Sequence, residues 1–109
     1  MALRLLKQNT ESLVDVDASG LSDLTSNNCT LVIRNFAGGT GNRLVSIKIV
    51  NDVLEFGDNI NLSVIYEGFD VNLMSWALVD DFGVLKLNLY FNVYSNLTQP
   101  IFVTLIKTN

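Results

Sequence analysis

The chain has 109 residues, one cysteine, no histidine and a net charge of −4 from seven basic and eleven acidic side chains. That length holds one domain, 1–109, around a single core, and the absence of any cationic cluster argues against nucleic acid or an anionic membrane surface as a partner. Without histidine there is no triad hydrolase and no histidine metal site, and Cys29 alone makes neither an internal disulfide nor a thiolate-rich zinc site.

The first ten residues, MALRLLKQNT, interrupt their apolar side chains with Arg4 and Lys7, so no secretory signal is expected. No apolar run reaches the roughly 18 residues of a membrane-spanning helix. Alternation of apolar and polar side chains predicts strands over residues 2–7, 12–16, 29–36, 43–50, 53–56, 60–66, 71–79, 84–94 and 101–107. The pattern is cleanest in VLKLNLYFNVY (84–94), where Leu85, Leu87, Leu89, Phe91 and Val93 alternate with Lys86, Asn88, Tyr90, Asn92 and Tyr94.

Between these segments, DASGLSDLTSNN (17–28) reads as the longest polar connection, with room for one helical turn after Ser22. FAGGTGN (36–42) reads as a glycine-rich loop tip. From Arg43 onward, Asn51-Asp52, Gly57-Asp58-Asn59, Glu67-Gly68 and Asp80-Asp81-Phe82-Gly83 supply turn residues, which predicts a run of hairpins. Pro100 stands ahead of the last strand, where a missing N–H is tolerated. Short strands at regular spacing define an all-β class: a single antiparallel β-sandwich of jelly-roll or immunoglobulin-like type, with a small closed β-barrel as the alternative.

Charged residues make up 17% of the chain, below the usual share of about 25%, and apolar ones 49% before glycine is counted. A small domain cannot hide all of that surface, so part of it is expected at contacts with other subunits. Two predicted strands are apolar on both faces. In 71–79, strict alternation sets Met74, Trp76 and Leu78 against Val71, Leu73, Ala77 and Val79; in 101–107 it sets Ile101, Val103 and Leu105 against Phe102 and Ile106. A sandwich sheet has one core side, so the second apolar face calls for cover, most simply another copy of the chain. The expected interface residues are Met74 and Trp76 as the largest anchor of their strand, with Tyr90 and Tyr94 sharing a face of theirs. The competing use of Trp76, Tyr66, Tyr90 and Tyr94 is a stacking platform for sugars.

Carboxylates are the remaining route to chemistry. Asp15 with Asp17, Asp80 with Asp81, and Asp52 with Glu55 and Asp58 sit at strand ends and turns, where such residues ordinarily bond their own backbone. No catalytic residue, metal or cofactor is expected from them. AGGTGNR (37–43) lacks the Gly-Lys-Ser/Thr ending of a phosphate loop and a following helix. The tripeptides at Asn28, Asn61 and Asn96 match the glycosylation acceptor pattern at the frequency expected of an asparagine-rich chain.

In its MALRLLK start, its wealth of Asn, Ser and Thr, its lack of histidine and its uninterrupted strands VLKLNLYFNVY and IFVTLIK, the chain resembles small β-rich structural proteins of bacteriophage particles. Capsid decoration, head-fibre and baseplate subunits are of this type. The resemblance implies a non-enzymatic subunit that oligomerises, docks on a capsid or comparable assembly, and resides in the virion after assembly in the host cytoplasm. A carbohydrate-binding or adhesive module is the alternative.

Overall fold

A computed structural model describes residues 12–36, 40–64, 71–95 and 99–109. It contains eight strands: β1 Leu13–Asp17, β2 Ser22–Leu24, β3 Asn28–Arg34, β4 Gly41–Ile49, β5 Ile60–Val64, β6 Val71–Asp81, β7 Val84–Val93 and β8 Ile101–Lys107. They form two four-stranded sheets, ordered β1-β3-β8-β5 (sheet A) and β2-β4-β7-β6 (sheet B). The fold is all-β and sandwich-like, with open-edged sheets rather than a closed barrel.

Alternation in the sequence explains how the sheets face each other. Val14 and Val16 of β1, Leu31 and Ile33 of β3, and Ile101, Val103 and Leu105 of β8 point from sheet A into the same cluster as Val45, Ile47, Leu87, Leu89 and Phe91 of sheet B. Phe91 meets Phe36 edge-to-face at a centroid distance of 5.4 Å, a favoured aromatic geometry. Residues 53–56, predicted as a strand, form turns instead, yet Leu54 is 2% exposed because it plugs the core from the β4–β5 connection. An isolated apolar residue in a turn mimics a short strand when only its period is read.

The sheets are mixed, which corrects the expectation of an antiparallel sandwich. β1 pairs with β3 in parallel, and β2 with β4 likewise; the other pairings are antiparallel. The cause lies in the connections. The chain passes from sheet A to B and back through β1, β2 and β3, and two such crossings return it in its original direction beside the strand it left. The predicted run of hairpins from Arg43 is therefore also corrected. β4 pairs with β7 and β5 with β8, and β6–β7 is the hairpin among the described strands.

Residues 17–28, read as a polar connection with a possible helical turn, instead carry β2. Its three residues SDL place Leu24 at 0% exposure. The turn before it is an Asx turn. Ser19 N and Ser19 Oγ donate to Asp17 Oδ1 at 2.9 and 2.6 Å, and Asp17 N donates to Ser22 Oγ at 2.9 Å. The strand predicted at 2–7 lies outside the described residues, as do Glu67-Gly68 and the centre of the glycine loop at 37–39.

The β6–β7 hairpin closes through the two-residue loop Phe82-Gly83, with Asp81 opposite Val84. Both loop residues have positive φ, 53° and 87°, as a type I′ turn requires. Asp80 Oδ1 accepts a 2.8 Å hydrogen bond from Gly83 N across it. Gly83 takes this conformation without strain. Phe82 does not, since a side chain with a Cβ pays about 1–2 kcal/mol in the left-handed region. Asn35, Asn51 and Asp52, the other non-glycine residues described there, are of types that bond locally to offset that cost.

Candidate functional site

The outward side of sheet B is built as rows across three strands. Asn42, Leu44, Ser46 and Lys48 of β4 stand opposite Asn92, Tyr90, Asn88 and Lys86 of β7. Beyond β7, β6 continues the rows with Asn72, Ser75, Ala77 and Val79. Ser46 Oγ donates to Asn88 Oδ1 at 2.5 Å, and Lys86 Nζ is paired with Asp81 Oδ2 at 2.8 Å. Two of these rows thus carry a paired polar side chain.

One row differs. A β-bulge between Leu73 and Ser75 sets two residues of β6 against one of β7, leaving Met74 out of the ladder beside Tyr90. Leu44 on the far side is 52% exposed, Met74 58% and Tyr90 38%. Together with Asn42, Arg43 and Ser75 they line an open depression of about 380 Å³. A smaller hollow of about 100 Å³ adjoins it, between the Ala18–Ser19 turn and Asn35, Phe36 and Val45. The depression is an apolar floor with amide, hydroxyl and guanidinium groups at its rim. Such a surface suits a docked side chain or a ring.

The bulge also divides the interface residues expected from the sequence. Met74 and Trp76 were expected on one face, but the extra residue reverses the parity of everything after it. Trp76 and Leu78 therefore join Val71 and Leu73 in packing partly buried against the core, while Ala77 and Val79 turn outward with Asn88 and Lys86. Met74 and Tyr90 are brought together, whereas Tyr94 is 54% exposed just past the end of β7. Tyr66 lies outside the described residues. Leu44 was missed, although it left a signal: in a strand whose other outward positions are Asn42, Ser46 and Lys48, it is an apolar residue on the polar parity. The bulge left one too. Asn72 and Ser75 are three apart, so uniform alternation cannot keep both outside.

The carboxylates serve turns and surface pairs. Asp15 lies 3.6 Å from Arg34 Nε, and both side chains are exposed. Bonds from the Ser19 hydroxyl and then the Ser19 N–H hold the Asp17 carboxyl below its usual range. Asp58 is lowered chiefly because it accepts the Glu55 N–H at 2.8 Å, with Lys107 Nζ adding to this from 3.4 Å. Among the described residues, no three Cys, Asp or Glu side chains gather as a metal would need. Cys29 is buried, its Sγ 3.7 Å from Ser26 O.

The Asp58 geometry gives a pH dependence with a defined sign. A carboxyl whose folded pKa is depressed contributes stability that is present above the unfolded value of about 3.9 and lost as pH falls through the folded one. The melting temperature should hold from neutral pH to about 4 and then fall, and Asp58→Asn should be less stable at pH 7 with a shallower fall in acid. Parallel acid limbs for the two proteins would show that Asp58 does not contribute.

No family model, curated protein or solved structure matches the chain. Among the described residues, no helix is long and apolar enough to cross a membrane.

Proposed function

We propose that this protein is a non-enzymatic structural subunit that associates with itself and docks on a larger assembly, using the outer face of sheet B. The observation that carries this is the Leu44–Met74–Tyr90 depression. Three large apolar side chains lie exposed together on a face whose neighbouring rows carry Asn42, Asn72 and Asn92 on one side and the hydrogen-bonded Ser46–Asn88 pair on the other. Contiguous apolar surface of that kind marks a contact surface in soluble proteins. The compositional resemblance to small phage proteins favours a virion as the assembly, with the subunit acting as a capsid decoration or other minor virion protein. The described residues form two four-stranded sheets, a sandwich-like arrangement in which the parallel β1–β3 and β2–β4 pairs depart from the antiparallel order usual in a jelly roll.

Met74→Asp tests this reading, because the side chain is exposed and its loss leaves the core intact. Wild type should associate at micromolar concentration by size exclusion with light scattering. Met74→Asp should run as a 12 kDa monomer that melts where the wild type does once dilution has dissociated it. An oligomer that is indifferent to Met74→Asp and to Tyr90→Ser would remove this face from the contact.

A carbohydrate-binding or adhesive role is the second reading, favoured by the Tyr90 ring lying next to Asn42 and Ser75 at the rim of the same depression. Asn42→Ala separates the two. It weakens a sugar held by that amide and leaves a protein contact made by Leu44 and Met74 in place.

A further inference from the structure

We infer that the occupant of the Leu44–Met74–Tyr90 depression is Phe82 of a second copy of this chain. This rests on the reading of that face as a contact surface and adds what fills it. Phe82 is the most exposed large apolar residue described, at 102%, on the tip of the hairpin formed by the two longest strands. It is also a bulky residue held at φ 53°, in a turn position that Asn or Gly fills without strain. Among the described residues the Phe82 ring makes no core contact, and its backbone conformation is unfavourable for a residue with a Cβ. Local strain at an exposed aromatic becomes intelligible when the ring is used outside its own molecule.

The depression fits what the tip carries. An apolar cavity of about 150 Å³ holds a benzene-sized ligand, so an open hollow of about 380 Å³ with a leucine, methionine and tyrosine floor accepts a phenyl ring together with part of its turn. Charge agrees as well. The tip bears Asp80 and Asp81, the latter paired with Lys86, whereas Arg43 is the charged residue among those described lining the depression. The contact cannot close within one molecule. Val84 and Tyr90 are six residues apart on β7, about 20 Å along an extended strand. Each copy thus presents a projection and a receptor at separate places, which produces a reciprocal pair, a ring or a chain of subunits according to the angle between copies.

Phe82→Asn, Leu44→Glu and wild type, compared by light scattering across micromolar concentrations and by thermal melting, test the proposal. Phe82→Asn should weaken association more than tenfold while raising the monomer's melting temperature by a few degrees, since asparagine relieves the turn. Leu44→Glu, which puts a carboxylate in the receptor, should weaken association to a similar extent. When mixed, these two variants should form a complex that neither forms alone, one supplying the receptor and the other the projection. A wild-type oligomer that Met74→Asp breaks and Phe82→Asn leaves intact would overturn this inference and keep the proposed function. A wild-type monomer at every concentration overturns the inference together with the self-association it rests on.

Discussion

Phe91→Ala is expected to cost about 3–5 kcal/mol of folding stability, the usual range for truncating a buried aromatic. Phe91, on the inner strand β7 of sheet B, is 1% exposed and is the largest fully buried side chain among the described residues. Two losses combine at this site. Removing the ring leaves a cavity between two sheets whose backbones are fixed by their ladders, and it deletes the edge-to-face contact with Phe36 at 5.4 Å, itself worth about 0.5–1.5 kcal/mol. Against a total of about 5–15 kcal/mol for an ordinary domain, this places the variant near the limit of folding. Urea unfolding should show a much lower midpoint at an unchanged slope. A loss under about 1 kcal/mol would mean that the sheets close over the gap left beside the buried Leu87, Leu89 and Ile101.

Trp76→Ala should lower stability by about 2–3 kcal/mol and leave association within a few-fold of wild type. The figure is below the fully buried range because the indole is only partly covered. This outcome follows from the bulge at Leu73–Ser75, which turns Trp76 toward the core and Met74 toward solvent. Met74→Asp is then the mirror image, with stability kept and association lost. Comparing the two variants in one melting and light-scattering series reads the register of β6 directly. A Trp76→Ala protein of wild-type stability that no longer associates would return both residues to a single face and remove the bulge from the explanation.

What an unbroken local period could say, the sequence said correctly. Residues 101–107 alternate Ile101, Val103 and Leu105 against Phe102, Thr104 and Ile106, and β8 occupies those residues with the first three buried. β7 behaves in the same way, with Leu87, Leu89, Phe91 and Val93 inside. Alternation reports which side of a strand is apolar because each Cβ points opposite to its neighbour, and this suffices for the all-β class and for most core residues. The same property made Tyr90 a surface candidate before any fold was known.

Partnership between strands is a different kind of information. Nothing in Leu13–Asp17 says that it runs parallel to Asn28–Arg34, or that Ile60–Val64 pairs with Ile101–Lys107 some forty residues on, since those pairings depend on which sheet each connection crosses to. Ser22–Leu24 is too short for a period, and it becomes a strand because β4 offers it a ladder. Leu54 reads as strand and packs as a plug. At Met74, one inserted residue reverses every face assignment that follows it, and that insertion is set by the fit of β6 on β7. The depression shared by Leu44, Met74 and Tyr90 belongs to three strands at once, so tertiary structure alone decided it: a surface site is a relation between rows, and alternation describes each row separately.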